Sequence, residues 1–330
     1  MILVFIFTSF FLIQTKAQYF TNQSKFYNAG FLIPIKKNIS EVDFNYNLKN
    51  SIVDSINIPL KRFGKLFLIE VTIDGQKGNL IFDTGANNLL LNRTYFRNTK
   101  TIGKQESYGI TGGVASVEKV IVKSLELFDL VYEGIKADVT NLTHLENRVG
   151  VKVLGLIGLS LIRDFEIVID YNNNLLQLYK LDKSGNRISP SCKNDEVLNQ
   201  KIDFLDNIVF VYGKIGGKKL RFCLDTGAEM NSINSFSSKK VMNKINIKGR
   251  TILKGAGTEN IEVMHGVIDQ FDFEGKQISG MESIITDLSS LNKVYGIDID
   301  GILGFSFLQH GIFKLNLIKK QIEIYFNDNQ

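Results

Sequence analysis

The chain has 330 residues, 44% hydrophobic and 22% charged, with only three prolines but 24 phenylalanines. That is enough for one large or two ordinary domains with filled cores, and it argues against disordered or collagen-like stretches. The formal charge of +5 is spread thinly with no block of five or six Lys or Arg, so a nucleic-acid or membrane-surface role has no support.

Met1 to Ile13 is almost wholly apolar and leads through Gln14-Thr15-Lys16-Ala17 into Gln18. The run is shorter than the roughly 20 apolar residues that span a bilayer. It reads as a signal peptide, residues 1–17, cleaved after Ala17, although it lacks a basic n-region; an uncleaved anchor or a buried first strand is the alternative. Export would make the protein secreted, or periplasmic in a Gram-negative host. Cys192 and Cys223 are too few for a disulfide framework and read as free, inert thiols. Residues 18–57 match nothing later in the chain and form an extension of unassigned role.

From residue 58 onward the pattern is one of strands. Leu66–Ile73 is closed by Asp74-Gly75, a two-residue hairpin signal, and a return run ends in Phe82-Asp83-Thr84-Gly85-Ala86. Farther on, Gly155-Leu156-Ile157-Gly158-Leu159-Ser160 precedes another hairpin, Phe165–Tyr171 with Leu175–Tyr179. The stretch 183–200, rich in Lys, Asn, Ser and Asp, reads as a linker. The pattern then starts again. Ile208–Ile215 is closed by Gly216-Gly217, and the return run ends in Leu224-Asp225-Thr226-Gly227-Ala228, 142 residues after the first copy. Residues 140–179 return without a gap at 286–325, so Gly301-Ile302-Leu303-Gly304-Phe305-Ser306 repeats the earlier glycine segment at an offset of 146. About four extra residues therefore sit inside the second copy. Long amphipathic helices are missing. The expectation is an all-β protein with two similar lobes, 58–182 and 201–330, arising from a domain duplication.

A single Asp-Thr-Gly at a strand end reads most simply as a solvent turn. Its return at the same place in both copies changes that reading, because a pseudo-twofold axis brings equivalent positions together. Two carboxylates face to face hold one proton between them, so one can act as acid and the other as base toward a water. Thr84 and Thr226 can hydrogen-bond across the axis. Gly85 and Gly227 allow a tight turn and close approach, with amides free to donate to the carboxylates.

The motif Asp83-Thr84-Gly85-Ala86, repeated at Asp225-Thr226-Gly227-Ala228, resembles the active-site motif of the pepsin/retropepsin superfamily of aspartic peptidases. So do Leu156-Ile157-Gly158 and Ile302-Leu303-Gly304, which follow their Asp by 75 and 79 residues. The resemblance implies a two-lobed acid-protease fold built from a tandem duplication of a retropepsin-like β-barrel lobe. It implies Asp83 and Asp225 as catalytic residues, supported by Thr84, Gly85, Ala86, Thr226, Gly227 and Ala228. Gly158 and Gly304 would lie on loops behind the site. The substrate is then an extended peptide or protein, and the chain works as a monomer with an internal pseudo-dimer. Ala after Asp-Thr-Gly is the retropepsin form, whereas two lobes on one chain is the pepsin arrangement. Glycines near Tyr108–Gly113, with Gly112 and Gly113 at the end, and Gly255 and Gly257 in the second lobe, read either as flap tips over the substrate or as surface turns. In the pepsin-like enzymes a Ser commonly follows Asp-Thr-Gly; Ala lacks its hydroxyl donor, which predicts raised carboxyl pKa values and an optimum of roughly pH 4–6.5.

No cofactor or metal is expected. His144, His265 and His310 form no metal-spaced cluster, and the phosphate-binding and G-x-S-x-G signatures are missing. The sequons at Asn22, Asn38, Asn92 and Asn141 are near chance in so Asn-rich a chain. Three functions compete. An aspartic endopeptidase leads. A catalytically silent peptide-binding protein on the same scaffold requires the carboxylates to be too far apart or the cleft blocked. A duplicated actin-like phosphotransferase requires long helices.

Overall fold

The computed structural model describes residues 3–5, 11–12, 47–48, 54–109, 112–189, 197–254 and 260–327. Strands dominate, arranged in three sheets. Each lobe is organised around one mixed sheet, and a six-stranded sheet joins the two lobes.

The hairpin turns form as their sequences require. Asp74 and Gly75 both take positive φ (47° and 78°), as do Gly216 and Gly217 (58° and 72°), which is the backbone of a primed turn between twisted strands. The return strands Gln76–Phe82 and Lys218–Leu224 pair antiparallel with Leu66–Ile73 and Ile208–Ile215. On their other side they pair parallel with Val153–Ile157 and Gly301–Leu303. These strands are apolar and buried at the ends from which each Asp-Thr-Gly turn emerges.

The six-stranded sheet shows how the copies face each other. Phe165–Asp170 pairs antiparallel with Gly311–Asn316, and Val168 opposes its own repeat equivalent, Lys314. An antiparallel pair centred on equivalent residues is the intramolecular form of an isologous contact. Outside these lie Leu175–Lys180 and Gln321–Phe326, and beyond them Ser55–Pro59 and Leu198–Lys201. Pro59 opposes Leu175 where Lys201 opposes Gln321, so these outer strands are equivalent too. Boundaries at 57/58 and 200/201 cut through them. The repeat begins at Ser55 in one lobe and near Leu198 in the other. Their sequences, Ser-Ile-Asn-Ile-Pro and Leu-Asn-Gln-Lys, share no residue pattern that would align them.

Short helices were not apparent in the strand-like pattern. Thr143–Val149 and Ser289–Tyr295 occupy equivalent places, each ended by a left-handed glycine, Gly150 (φ 70°) and Gly296 (φ 64°). The extra residues of the second copy enter in two steps. Lys239–Met242 adds a helical turn between strands Asn231–Asn234 and Ile245–Lys254, and the remainder lie in the following hairpin, Ile245–Lys254 with Asn260–Ile268.

Near the chain start, Leu3–Phe5 pairs parallel with Ile252–Lys254, and Phe11–Leu12 pairs antiparallel with Ser107–Tyr108. A signal peptide at 1–17 would remove both strands, whereas a first strand retained in the fold would keep them. Among the described residues no helix is long and apolar enough to cross a membrane.

One large apolar core runs through both lobes. Two smaller clusters surround the Asp-Thr-Gly turns, one per lobe, and share equivalent members such as Leu68 and Phe210, Leu156 and Ile302, Val117 and Val263.

Candidate active site

The two turns meet at the lobe interface. Thr84 N–H donates to Thr226 Oγ1, and Thr226 N–H to Thr84 Oγ1, both at 3.0 Å. Each threonine hydroxyl then donates onward, Thr84 to the Leu224 carbonyl and Thr226 to the Phe82 carbonyl, both at 2.7 Å. Two of these four hydrogen bonds join the turns to each other, and the other two tie each turn to the strand that carries the opposite aspartate. All four are buried, where each missing partner would leave an unsatisfied group.

The glycines are required by proximity. Neither Gly85 nor Gly227 has positive φ. A Cβ on Gly85 would lie 2.7 Å from the Asp225 carboxyl carbon, and one on Gly227 would lie 2.6 Å from that of Asp83. Each amide also holds its own lobe's carboxylate: Gly85 N–H donates to Asp83 Oδ1 at 2.9 Å, and Gly227 N–H to Asp225 Oδ1 at 2.8 Å. Behind the turns, Asp83 N–H donates to the Ile157 carbonyl and Asp225 N–H to the Leu303 carbonyl, each at 2.9 Å. Gly158 sits so close that a Cβ would be 1.8 Å from the Ala86 carbonyl oxygen; at Gly304 the corresponding distance to Ala228 is 2.5 Å. Ala86 and Ala228 are themselves buried.

The structure therefore brings together Asp83, Asp225, the two threonines, the two alanines and all four of these glycines. Gly112 and Gly113 lie on the returning strand of a hairpin, opposite Gly109 and Tyr108. Gly255 and Gly257 lie outside the described residues, as does Cys192.

Asp83 and Asp225 are 1% and 0% exposed. Burial raises the pKa of both carboxyls, and for Asp83 the charge of Asp225 raises it further. Each carboxyl lies against the turn glycine of the opposite lobe. With both ionised, neither could donate, and Asp225 Oδ2 would stay buried without a donor. One proton held by the pair removes both problems.

Two further groups lie near the pair, Tyr171, which carried no sequence signal, and Cys223, two residues before Asp225. Burial, then the charge of Asp225, holds the Tyr171 phenol well above its ordinary range, and its buried oxygen has no hydrogen-bond partner among the described residues. Its ring packs on Phe67 and Phe305 at 4.6 and 5.9 Å. Cys223 is free and buried, and burial together with both aspartates holds its thiol protonated and inert. The histidines remain apart, and among the described residues no group of His, Cys, Asp or Glu could hold a metal ion.

An all-β molecule of two duplicated lobes, with an aspartate from each at the axis, defines the acid-protease class. The aspartyl protease family model matches twice, over residues 69–161 and 211–307, and the chain belongs to that family. Each matched region contains one Asp-Thr-Gly turn and the glycine segment behind it. Among solved structures, an aspartic proteinase from Irpex lacteus is similar in fold, with a TM-score of 0.51 at 13% identity over 83% of this chain and 98% of that one. The comparison with curated proteins gave no match.

Proposed function

We propose that the chain is an aspartic endopeptidase that hydrolyses peptide bonds with a water activated between Asp83 and Asp225. The observation that carries this reading is the buried carboxyl pair, each member held by its own lobe's glycine amide and lying against the turn glycine of the opposite lobe. In the attack step the ionised carboxylate takes a proton from the water as its oxygen bonds to the scissile carbonyl carbon. The protonated partner meanwhile donates to the carbonyl oxygen. Collapse of the tetrahedral intermediate breaks the C–N bond, and the amine leaves with a proton returned by the pair. No covalent enzyme intermediate is needed.

An extended peptide suits this site, because main-chain hydrogen bonds to hairpin edges hold strands without regard to sequence. Both hairpin edges beside the site already take a short strand from the chain's first residues. Digestion of casein, with and without pepstatin, tests the reading: pepstatin mimics the tetrahedral intermediate and should abolish cleavage. Peptide binding by a chain that cleaves no protein or peptide would favour the silent peptide-binding alternative.

A further inference from the structure

The duplication leaves one place filled in the second lobe and open in the first. In the second lobe, residues 235–244 join the strands Asn231–Asn234 and Ile245–Lys254, and they include the helical turn Lys239–Met242. Val241 of that turn is 1% exposed and enters the main core. The turn packs on the hairpin ahead of it, where a Cβ on Gly216 would lie 2.6 Å from the Lys240 carbonyl oxygen. Lys244 Nζ then donates to Gln270 Oε1 at 3.1 Å, just beyond the strand Asn260–Ile268.

Gly216 and Gln270 correspond to Asp74 and Ser124 at the two repeat offsets. In the first lobe the joining segment is residues 93–100, two shorter, and it forms no helix. A groove of about 730 Å³ stands there instead, reaching from Asp74 to Lys123. Tyr95, Phe96, Ile102 and Ile121 give it an apolar lining, and Ile102 is 51% exposed. Gln76 Nε2 donates to the Tyr95 carbonyl at 3.0 Å and so holds the segment to the hairpin. Arg97, Lys100 and Lys123 also line the groove; all three are exposed, and none makes a salt bridge among the described residues. The one carboxylate in the lining, Asp74, accepts the amides of Lys123 and Ser124, each at 2.9 Å.

Three unpaired cations beside exposed apolar surface complement a segment that carries both carboxylates and an apolar side chain. The second lobe supplies the shape, one helical turn with an inward apolar residue. Gln76 starts the seven-residue strand that ends at Phe82, so the groove lies about 23 Å from Asp83 at ~3.3 Å per residue. That is beyond the few residues flanking a scissile bond.

We propose that this groove is an exosite for protein substrates, taking a helical turn that presents an apolar side chain and two Asp or Glu residues four positions apart. The apolar side chain takes the place that Val241 has in the second lobe, and the carboxylates pair with Arg97, Lys100 and Lys123. Its effect on cleavage rests on the peptidase reading above: a segment held here raises the concentration of the attached chain at the catalytic pair.

The probe is a labelled Ala-rich peptide of about 16 residues, long enough to be helical in water, with two Glu four apart and a Leu on the same face. Its control has Gln for both Glu. Fluorescence anisotropy should show the Glu peptide binding wild type roughly tenfold more tightly than the control, with the difference shrinking at high salt. The triple change Arg97→Gln, Lys100→Gln and Lys123→Gln should erase the difference at unchanged Tm, and Ile102→Asn should weaken both peptides. For cleavage, each peptide is joined to one cleavable sequence by a flexible linker of about 20 residues, whose mean span is roughly 25 Å. The Glu fusion should show a KM about tenfold lower at unchanged kcat, an advantage that the triple variant removes. Equal binding of the two peptides, or a triple variant that keeps the difference, overturns the exosite and leaves the peptidase reading standing. Binding to phosphatidylserine vesicles but not to the Glu peptide overturns it likewise. A wild type that binds the Glu peptide through these cations yet cleaves neither fusion supports the groove as a peptide site and overturns the peptidase reading.

Discussion

The two lobes diverge least at the catalytic turns and most in the walls around them. At the turns, equivalent hydrogen bonds agree to within about a tenth of an ångström, whereas the hydrogen-bonded polar pair Asn88 and Asp138 stands where the second lobe has the apolar residues Met230 and Ile284. The turns cannot drift separately because each completes the other. Away from the turns each lobe packs against its own neighbours, so equivalent positions can differ. Mutual completion preserves symmetry at the turns, and nothing imposes it on positions that bond only within their own lobe.

The largest test of this comparison is the pair itself. Asp83→Asn and Asp225→Asn should each lower kcat at least ~10³-fold by removing one role of the acid–base pair, with circular dichroism unchanged. Substantial activity left in one variant alone would show that the lobes do not contribute equally.

Next come the glycines. Gly85→Ala and Gly227→Ala each drive a methyl group into the opposite carboxyl group. Displacement of the carboxyls should cost roughly 10²-fold in kcat/KM and about 1–3 kcal/mol of stability, with similar values from the two lobes. Measured kinetics and denaturant melts that differ widely between the two would break the symmetry argument.

Thr84→Val and Thr226→Val sharpen it further. Each removes a hydroxyl that accepts one bond and donates another, stranding a buried amide and a buried carbonyl. Each should destabilise by about 2–4 kcal/mol, since an orphaned buried group costs roughly 1–3 kcal/mol. If the turns act as one unit, the double variant will cost clearly less than the sum; full additivity would mean independent turns.

The smallest effects concern pH. The carboxyls of Asp83 and Asp225 have raised pKa values in the folded protein, so the folded state binds protons more tightly than the unfolded chain. That stabilisation is complete below the unfolded value near pH 4 and is lost as pH rises through the folded values. Wild-type Tm should fall across this window, and the combined variant Asp83→Asn with Asp225→Asn should show a shallower slope. Replacing Ala86 and Ala228 by Ser should offer the ionised form a hydroxyl donor and move the acid limb of the activity profile down by up to about one pH unit. An unmoved limb in a folded, active variant would deny that the alanines contribute to the raised pKa values.

Much of this was legible because duplication prints the same local solution twice. Asp-Thr-Gly, the hairpin turns before it and the glycine segment behind it all depend on fixed backbone geometry, so their residues recur. Ser55–Pro59 and Leu198–Lys201 were illegible as equivalents because an outer strand is held by main-chain bonds that many sequences satisfy. The short helices were hidden because seven residues give barely two turns of periodicity. Asp138 looked like any polar residue in an alternating strand, and only the register opposite Lys119, set beside His265 and Ile284, shows that it replaces an apolar group. Tyr171 acquires its proximity to the carboxyls from tertiary packing alone, whereas Cys223 stands two residues before Asp225 on the strand that carries it.

The reciprocal threonine bonds join residues 142 positions apart, and this sets a clock on biosynthesis. A chain emerging N-terminus first presents Asp83 long before Asp225 exists. At about 5–20 residues per second, the interval is roughly 7–30 s, during which the first turn lacks both its bonding partner and its second carboxylate. The second lobe must then be synthesised past Gly304 before its own turn has backing. A nascent chain therefore has no paired carboxylates, and the proposed hydrolytic centre is assembled only with the docking of two finished lobes.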